Sequence, residues 1–231
     1  MKRARNLRTG ATWFLPAPAP VCLPLAAALH IPYRLDHERG VAVTFDDGPH
    51  DEGTPAVLDE LARRSATATF FLVGEQVARR PALARRIVEA GHEVAVHGYR
   101  HTLLLRRRTA ELAADLDRCV ATIEDATGVS PTLYRPPYGV FSSGGLAHVR
   151  SRGWRPLLWS TWGRDWRRRT SAAEIARLAT RRLRPGDVVL LHDSDAYSSA
   201  GSWRRTAAAV PSVLDAVAAL GVPSVAVTQS T

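Results

Sequence analysis

Seven short apolar stretches alternate with amphipathic helical stretches along this chain, and no other feature constrains the fold as strongly. Residues 41–45 (Val-Ala-Val-Thr-Phe) have strand character. Thr54-Pro55 reads as an N-cap followed by proline at the first helical position, which predicts a helix to about Arg64. Residues 66–73 are rich in strand formers, and residues 81–90 predict a helix stopped by Gly91. Residues 93–97 alternate as a strand. From Thr109, the side chains of Leu112, Leu116, Val120 and Ile123 share one helical face that ends near Gly128. Residues 132–134 predict a strand, 146–152 a helix and 154–160 a strand. Ser171-Ala172-Ala173-Glu174 is a capping box opening a helix to Leu183. Arg184-Pro185-Gly186 then turns into a strand at 187–191, and a helix over about 211–220 precedes a seventh strand at 224–227. Parallel strands need a crossover, usually a helix, so strict alternation predicts an α/β fold with a parallel sheet flanked by helices. Seven such units predict a closed or nearly closed barrel, with an open doubly wound sheet as the alternative.

The composition supports a globular domain. Apolar residues make up 45% and charged residues 23% of the 231, which excludes a disordered, collagenous or coiled-coil chain. Cys22 and Cys119 are the only cysteines, too few for a disulfide scaffold. The net charge of +9 comes almost wholly from arginine, since Lys2 is the only lysine. Arginine grips carboxylate and phosphate bidentately, so an anionic partner fits. Codon-biased arginine on solvated faces accounts for the same charge. The runs at 106–108, 167–169 and 181–182 are scattered and form no single stripe, so no nucleic-acid partner is expected.

Residues 1–8 are basic, and residues 9–29 carry no charge. Pro16, Pro18, Pro20 and Pro24 interrupt that run, each costing an interior helix about 3 kcal/mol, so a spanning helix is not expected. Ala26-Ala27-Ala28 leaves an export signal or membrane association as the alternative to a cytoplasmic location. The expected domain division is residues 1–35 as a basic, then proline-rich lead-in, and residues 36–231 as the main folded domain.

In such barrels the active residues lie at the C-terminal ends of the strands. The polar outliers fall there: Asp46 and Asp47, His97 and His101, Arg135, Asp165, and His192 with Asp193. No glycine-rich phosphate loop follows the first strand, where the text is Asp46-Asp47-Gly48-Pro49, so nucleotide binding loses its best support. The four-residue spacing of His97 and His101 places both imidazoles on one side of a helical turn, although two polar loop histidines would look the same. A carboxylate from a neighbouring strand end would complete a His-His-Asp set with open positions, the pattern of catalytic zinc or of non-haem iron. Adjacent aspartates at a strand end point in different directions, so one is free for metal and the other for substrate. A carboxylate such as Asp165 near His192 would favour the imidazolium and suit a general acid. His92 and His50 are expected to be structural.

Taken in order, these residues resemble the polysaccharide deacetylase family, the NodB-homology carbohydrate esterases of family 4. Thr44-Phe45-Asp46-Asp47-Gly48-Pro49 is similar to the first motif, whose first aspartate is the catalytic base and whose second is a metal ligand. His97 and His101 match the metal histidines of the second. Arg135-Pro136-Pro137-Tyr138-Gly139 matches the third; its arginine holds the base, and Pro137 and Tyr138 lie at the substrate, the tyrosine N–H helping to bind the oxyanion. Asp165-Trp166 matches the end of the fourth, where the aspartate supports the catalytic histidine and the tryptophan shapes the pocket. Leu190-Leu191-His192 matches the fifth, with leucine lining an acetyl pocket and histidine as the acid. Gly98 replaces the usual Ser or Thr, and Trp162 the usual aspartate of the fourth motif. The resemblance implies a distorted (β/α)7 barrel and a divalent ion, zinc or else cobalt, bound by Asp47, His97 and His101. It implies hydrolysis of N-acetyl groups on an N-acetylated glycan. A related amidase acting on a small N-acyl substrate, or a silent glycan-binding barrel, are the alternatives; a silent barrel would usually lose Asp46 or His192, and both are present.

Overall fold

The structure, a computed structural model, describes residues 13–228. Seven strands form one sheet in which every pairing is parallel: β1 (Ala42–Asp46), β2 (Thr69–Leu72), β3 (Glu93–Val96), β4 (Leu133–Tyr134), β5 (Arg155–Pro156), β6 (Thr161–Trp162) and β7 (Val188–His192). The helices are α1 (Leu23–Ala28), α2 (Gly53–Arg63), α3 (Gly74–Arg79), α4 (Pro81–Glu89), α5 (Thr109–Thr127), α6 (Ser143–Ser151), α7 (Ala172–Thr180) and α8 (Ser202–Ala218). The central strands are buried throughout, as expected where both faces are covered. Phe45 and Phe70, register partners on β1 and β2, stack at 5.1 Å in the core.

The sheet order is β5-β4-β3-β2-β1-β7-β6, so β5 and β6 are its two opposite edges. Yet only residues 157–160 connect them. Fully extended chain covers at most about 3.6 Å per residue, so five steps reach no further than about 18 Å. A flat seven-stranded sheet is wider than that, so it must curl until its edges approach. The link is pinned on the way: Leu157 N donates to Tyr134 O, Leu158 N to Pro32 O and Ser160 N to Val188 O. The result is a curled half-barrel, open between β5 and β6, with Pro32 of the lead-in bonded to the link across the gap.

The expected strand over 154–160 is two short strands on opposite edges. Pro156 has no N–H to continue the ladder, and the chain leaves the sheet there. The expected strand over 224–227 is a single parallel bridge, Val41 to Ser224, held where Val225 packs against Gly40. These two differences cancel, which is why the count of seven survives. Helix α8 starts at Ser202, not near 211, and carries Pro211 inside it. Its buried Thr206, Ala209, Val210, Val213, Leu214 and Val217 form one stripe, and that burial outweighs the lost backbone bond. Thr54 is not an N-cap: α2 begins at Gly53, and the Thr54 hydroxyl accepts from His50 N and donates to the buried Asp193 carboxylate. The caps at Gly128 (φ +73°) and Ser171, whose side chain accepts from Glu174 N, are as expected.

The described part of the lead-in packs on the domain. Trp13 Nε1 donates to Leu105 O, residues Ala19–Val21 make a 3₁₀ turn, and α1 carries Pro24 in its first turn. No helix among the described residues is long and apolar enough to cross a membrane. The basic residues 1–8 lie outside the described part.

Candidate active site

A parallel sheet sends all its carboxyl ends to one side, and the polar outliers gather there. Asp46 ends β1. Arg135, the residue after β4, is completely buried and donates from one terminal nitrogen to Asp46 Oδ1 at 2.6 Å and to Thr44 Oγ1 at 2.9 Å. Its other terminal nitrogen donates to Leu158 O at 3.0 Å. Thr44 in turn donates to Val189 O, so strand β7 helps fix the arginine that fixes Asp46. Burial pulls the guanidinium's pKa down, and the Asp46 charge opposes it.

Asp47 turns the other way. Its backbone adopts φ +79°, a left-handed conformation rare for a residue with a side chain. That twist carries its carboxylate to two imidazoles: Oδ1 lies 3.4 Å from His97 Nε2 and 3.2 Å from His101 Nε2. Burial raises the Asp47 pKa, but the two imidazoles and the charge of His192 outweigh it and hold the carboxyl well below the usual range. His97 Nδ1–H donates to Arg135 O at 2.8 Å, which leaves Nε2 as its ligand atom. The two histidines do not share a helical turn. Residues 97–101 form a loop in which Gly98 takes φ +91°, and the turn brings the rings together at 5.4 Å between centroids. Asp47, His97 and His101 each present a ligand atom within 4.8 Å of the others. Asp47 Oδ1 is buried without a hydrogen bond. One carboxylate and two imidazoles around such an orphaned oxygen fit a divalent cation.

His192 ends β7 opposite Asp46 in the ladder. Asp165 lies after β6 and is fully buried. It takes His192 Nδ1–H at 2.9 Å and His192 N at 2.7 Å, and Thr206 of α8 donates to it at 2.8 Å. Nε2 is therefore the nitrogen left for substrate. Burial alone would lower the His192 pKa, but Asp165, then Asp47 and Asp46, raise it to about 10.

These groups surround a cavity of about 230 Å³. Leu190, Trp166 and Tyr138 are among the residues that line it. Pro137 is not among the lining residues, whereas its neighbour Gly139, buried like it, is. Tyr138 sits at φ +61°, a conformation that carries its ring out to 59% exposure. One wall is a run of indoles, with Trp159 to Trp162 at 5.6 Å, Trp162 to Trp166 at 5.3 Å and Trp166 to His192 at 5.6 Å. His50 and His92 lie outside it: His50 Nδ1 accepts from Gly53 N, and His92 is buried beside Phe70, its pKa pushed down to about 4.

Tyr197 is the residue the sequence did not reveal. Its ring stacks on His101 at 4.2 Å and 12° between planes. Its hydroxyl donates to Glu75 Oε1 and accepts from Gln76 Nε2, both on α3. His101 Nδ1 is buried with no hydrogen bond, so the ring is held by Tyr197 and by the edge contact of Tyr138 at 4.7 Å. A lone tyrosine in a polar loop gives no sequence signal for this. Thr206, inside a helix, gave none either.

A buried base candidate, an acid candidate and a cation site on one cavity suit hydrolysis of an acyl bond. Residues 34–157 match the polysaccharide deacetylase family. A chitooligosaccharide deacetylase from Bradyrhizobium sp. (strain ANU 289) is 40% identical over 156 residues, covering 67% of this chain and 71% of that protein. The peptidoglycan-N-acetylglucosamine deacetylase PgdA of Listeria monocytogenes is 35% identical over 153 residues, 66% of this chain; the match spans 32% of PgdA, about a third of its length. Among solved structures, the Bc1960 peptidoglycan N-acetylglucosamine deacetylase superposes with a TM-score of 0.80 at 26% identity, covering 87% of this chain and 93% of that one.

Proposed function

Since the chain belongs to the polysaccharide deacetylase family, we propose that it is a metal-dependent hydrolase that removes N-acetyl groups from a glycan containing N-acetylglucosamine. One observation carries this: Asp46, locked by Arg135, and His192, locked by Asp165, stand side by side on the ladder and face one cavity with the Asp47-His97-His101 set. Asp47, His97 and His101 would hold the divalent ion, for which zinc is proposed and cobalt is the alternative; when bound, it supplies Lewis acidity toward water and the acetamide oxygen.

The chain's own residues do the rest. Asp46 accepts the proton of the attacking water as its oxygen bonds to the acetamide carbon. Arg135 keeps that carboxylate aimed at the cavity. The Tyr138 N–H donates to the oxygen that gains charge in the tetrahedral intermediate, a preorganised donor worth about 3 kcal/mol. His192 Nε2 delivers its proton to the departing nitrogen as the carbon–nitrogen bond breaks. Acetate and a free amino sugar result, and the protons balance between Asp46 and His192. Leu190 and Trp166 flank the acetyl methyl, and the indole wall suits stacking on sugar faces.

The test is mass-spectrometric analysis of N-acetylchitooligosaccharides incubated with the protein, zinc and, separately, a chelator. Chelator-sensitive loss of acetyl groups is expected. Unchanged oligomers despite stoichiometric bound metal would overturn the proposal.

A further inference from the structure

A second cavity, of about 460 Å³, runs along β6, and Trp162 forms a wall of both this cavity and the catalytic one. Five arginines line it: Arg34, Arg164, Arg181, Arg182 and Arg184. The only carboxylate in its lining, Asp187, is already engaged. Its Oδ1 pairs with Arg34 at 2.7 Å and accepts from Ser160 Oγ at 2.7 Å, and its Oδ2 accepts from Arg184 N at 2.7 Å. Among the described residues, the guanidinium groups of Arg164, Arg181, Arg182 and Arg184 have no carboxylate partner. Some surface arginines elsewhere do have one, as in Arg80 with Asp51, Arg177 with Glu174 and Arg204 with Glu52; it is the gathering of four unpaired guanidinium groups on one cavity that sets this groove apart.

The carbonyl end of α7 favours cations and accounts in part for Arg181 and Arg182. It does not account for Arg164. That residue lies just past β6 in a left-handed conformation, φ +53°, with its guanidinium 5.0 Å over the Trp162 ring. Trp162 stands where the resemblance leads one to expect an aspartate. The substitution removes a negative charge from the wall between the two cavities and supplies a ring for Arg164 to lie on. A groove with an excess of positive charge, sharing the Trp162 wall with the catalytic cavity, concentrates ligands of negative charge.

We propose that this groove binds carboxylate groups of the glycan substrate, so that the enzyme prefers an acidic N-acetylated glycan to a neutral one. Arginine's planar fork matches a carboxylate bidentately, and Trp162 joins the acidic sugar's site to that of the acetylated one. The inference rests on the deacetylase assignment for the adjoining cavity.

Two probes of equal length test it: heparosan oligosaccharides, which alternate glucuronate with N-acetylglucosamine, and N-acetylchitooligosaccharides. Acetate release gives the ratio of kcat/KM for the acidic probe to the neutral one. Anisotropy of a labelled heparosan octasaccharide gives binding without turnover. In the full-length protein the ratio exceeds one and falls as salt rises. In Arg181→Gln/Arg182→Gln/Arg184→Gln it drops at least about tenfold, and the salt dependence flattens. Circular dichroism and metal content confirm that this variant is folded. A ratio near one in the wild type, or an equal loss on both probes in the variant, overturns the inference and leaves the deacetylase intact. Arginine-dependent, salt-sensitive binding without turnover of either probe supports the groove and counts against the deacetylase. Binding to anionic vesicles that needs these arginines, with no heparosan binding, overturns it in favour of a lipid surface.

Discussion

Asp46 on β1 and His192 on β7 are direct register partners in a parallel ladder. Both therefore stand at the carboxyl ends of adjacent strands, and the backbone pairing itself sets the proposed base beside the proposed acid. Side chains alternate faces along a strand, so a slip of one residue in this register would turn one of them out of the cavity. Phe45 facing Leu191 and Thr44 facing Leu190 hold the register from below with buried side chains.

Asp165 sets the protonation of His192, and the sign of the pH dependence follows. The folded pKa, about 10, lies above the usual 6.5. The stabilisation it carries is full below pH 6.5 and is lost as pH rises through about 10. In Asp165→Asn the alkaline limb of the kcat/KM profile moves to lower pH. The stability gap between wild type and variant, from urea unfolding, narrows between pH 6.5 and 10. An alkaline limb that stays in place would contradict the role of Asp165.

Arg135 is completely buried and pairs with a buried carboxylate. Replacing it with methionine leaves Asp46 charged and without its partner, at a cost of about 3–5 kcal/mol in denaturant unfolding. Arg135→Lys recovers less than half of that, because one ammonium cannot reach Asp46, Thr44 and Leu158 O together as the fork does. Full recovery by lysine would mean that charge alone matters here.

Tyr197 positions His101 by stacking, since the imidazole has no hydrogen bond on Nδ1. Tyr197→Leu weakens zinc binding by about 10- to 100-fold, the usual scale for groups that orient metal ligands. Tyr197→Phe keeps the ring and most of the affinity. Competition with a chromophoric chelator measures both. Equal loss in the two variants would move the role to the hydroxyl and its Glu75 and Gln76 partners.

Much of this is legible in the sequence alone. The alternation predicts the parallel sheet, and polar residues just past apolar strands point to the candidate site, because a parallel sheet places every such position on one side. What stayed hidden depends on contacts between distant segments. Pro156 ends β5 and the chain crosses an open barrel, so a single apolar run becomes two edge strands. Thr54 reads locally as a cap, but the Asp193 carboxylate claims its hydroxyl. The helical spacing of His97 and His101 misleads, because Gly98 makes a loop that brings the rings together by another route. Tyr197 and Thr206 act through stacking and one hydrogen bond to residues far along the chain, which a single sequence does not encode visibly.

The central claim is that the two neighbouring aspartates divide the work, Asp46 moving a proton and Asp47 holding the ion. Asp46→Asn tests it most directly, with metal content by elemental analysis and acetate release from N-acetylchitooligosaccharides measured on the same preparation. The account predicts metal at wild-type stoichiometry and a rate at least about 100-fold lower, the scale of a lost general base. Loss of the metal in this variant, or acetate release at the wild-type rate, would contradict it.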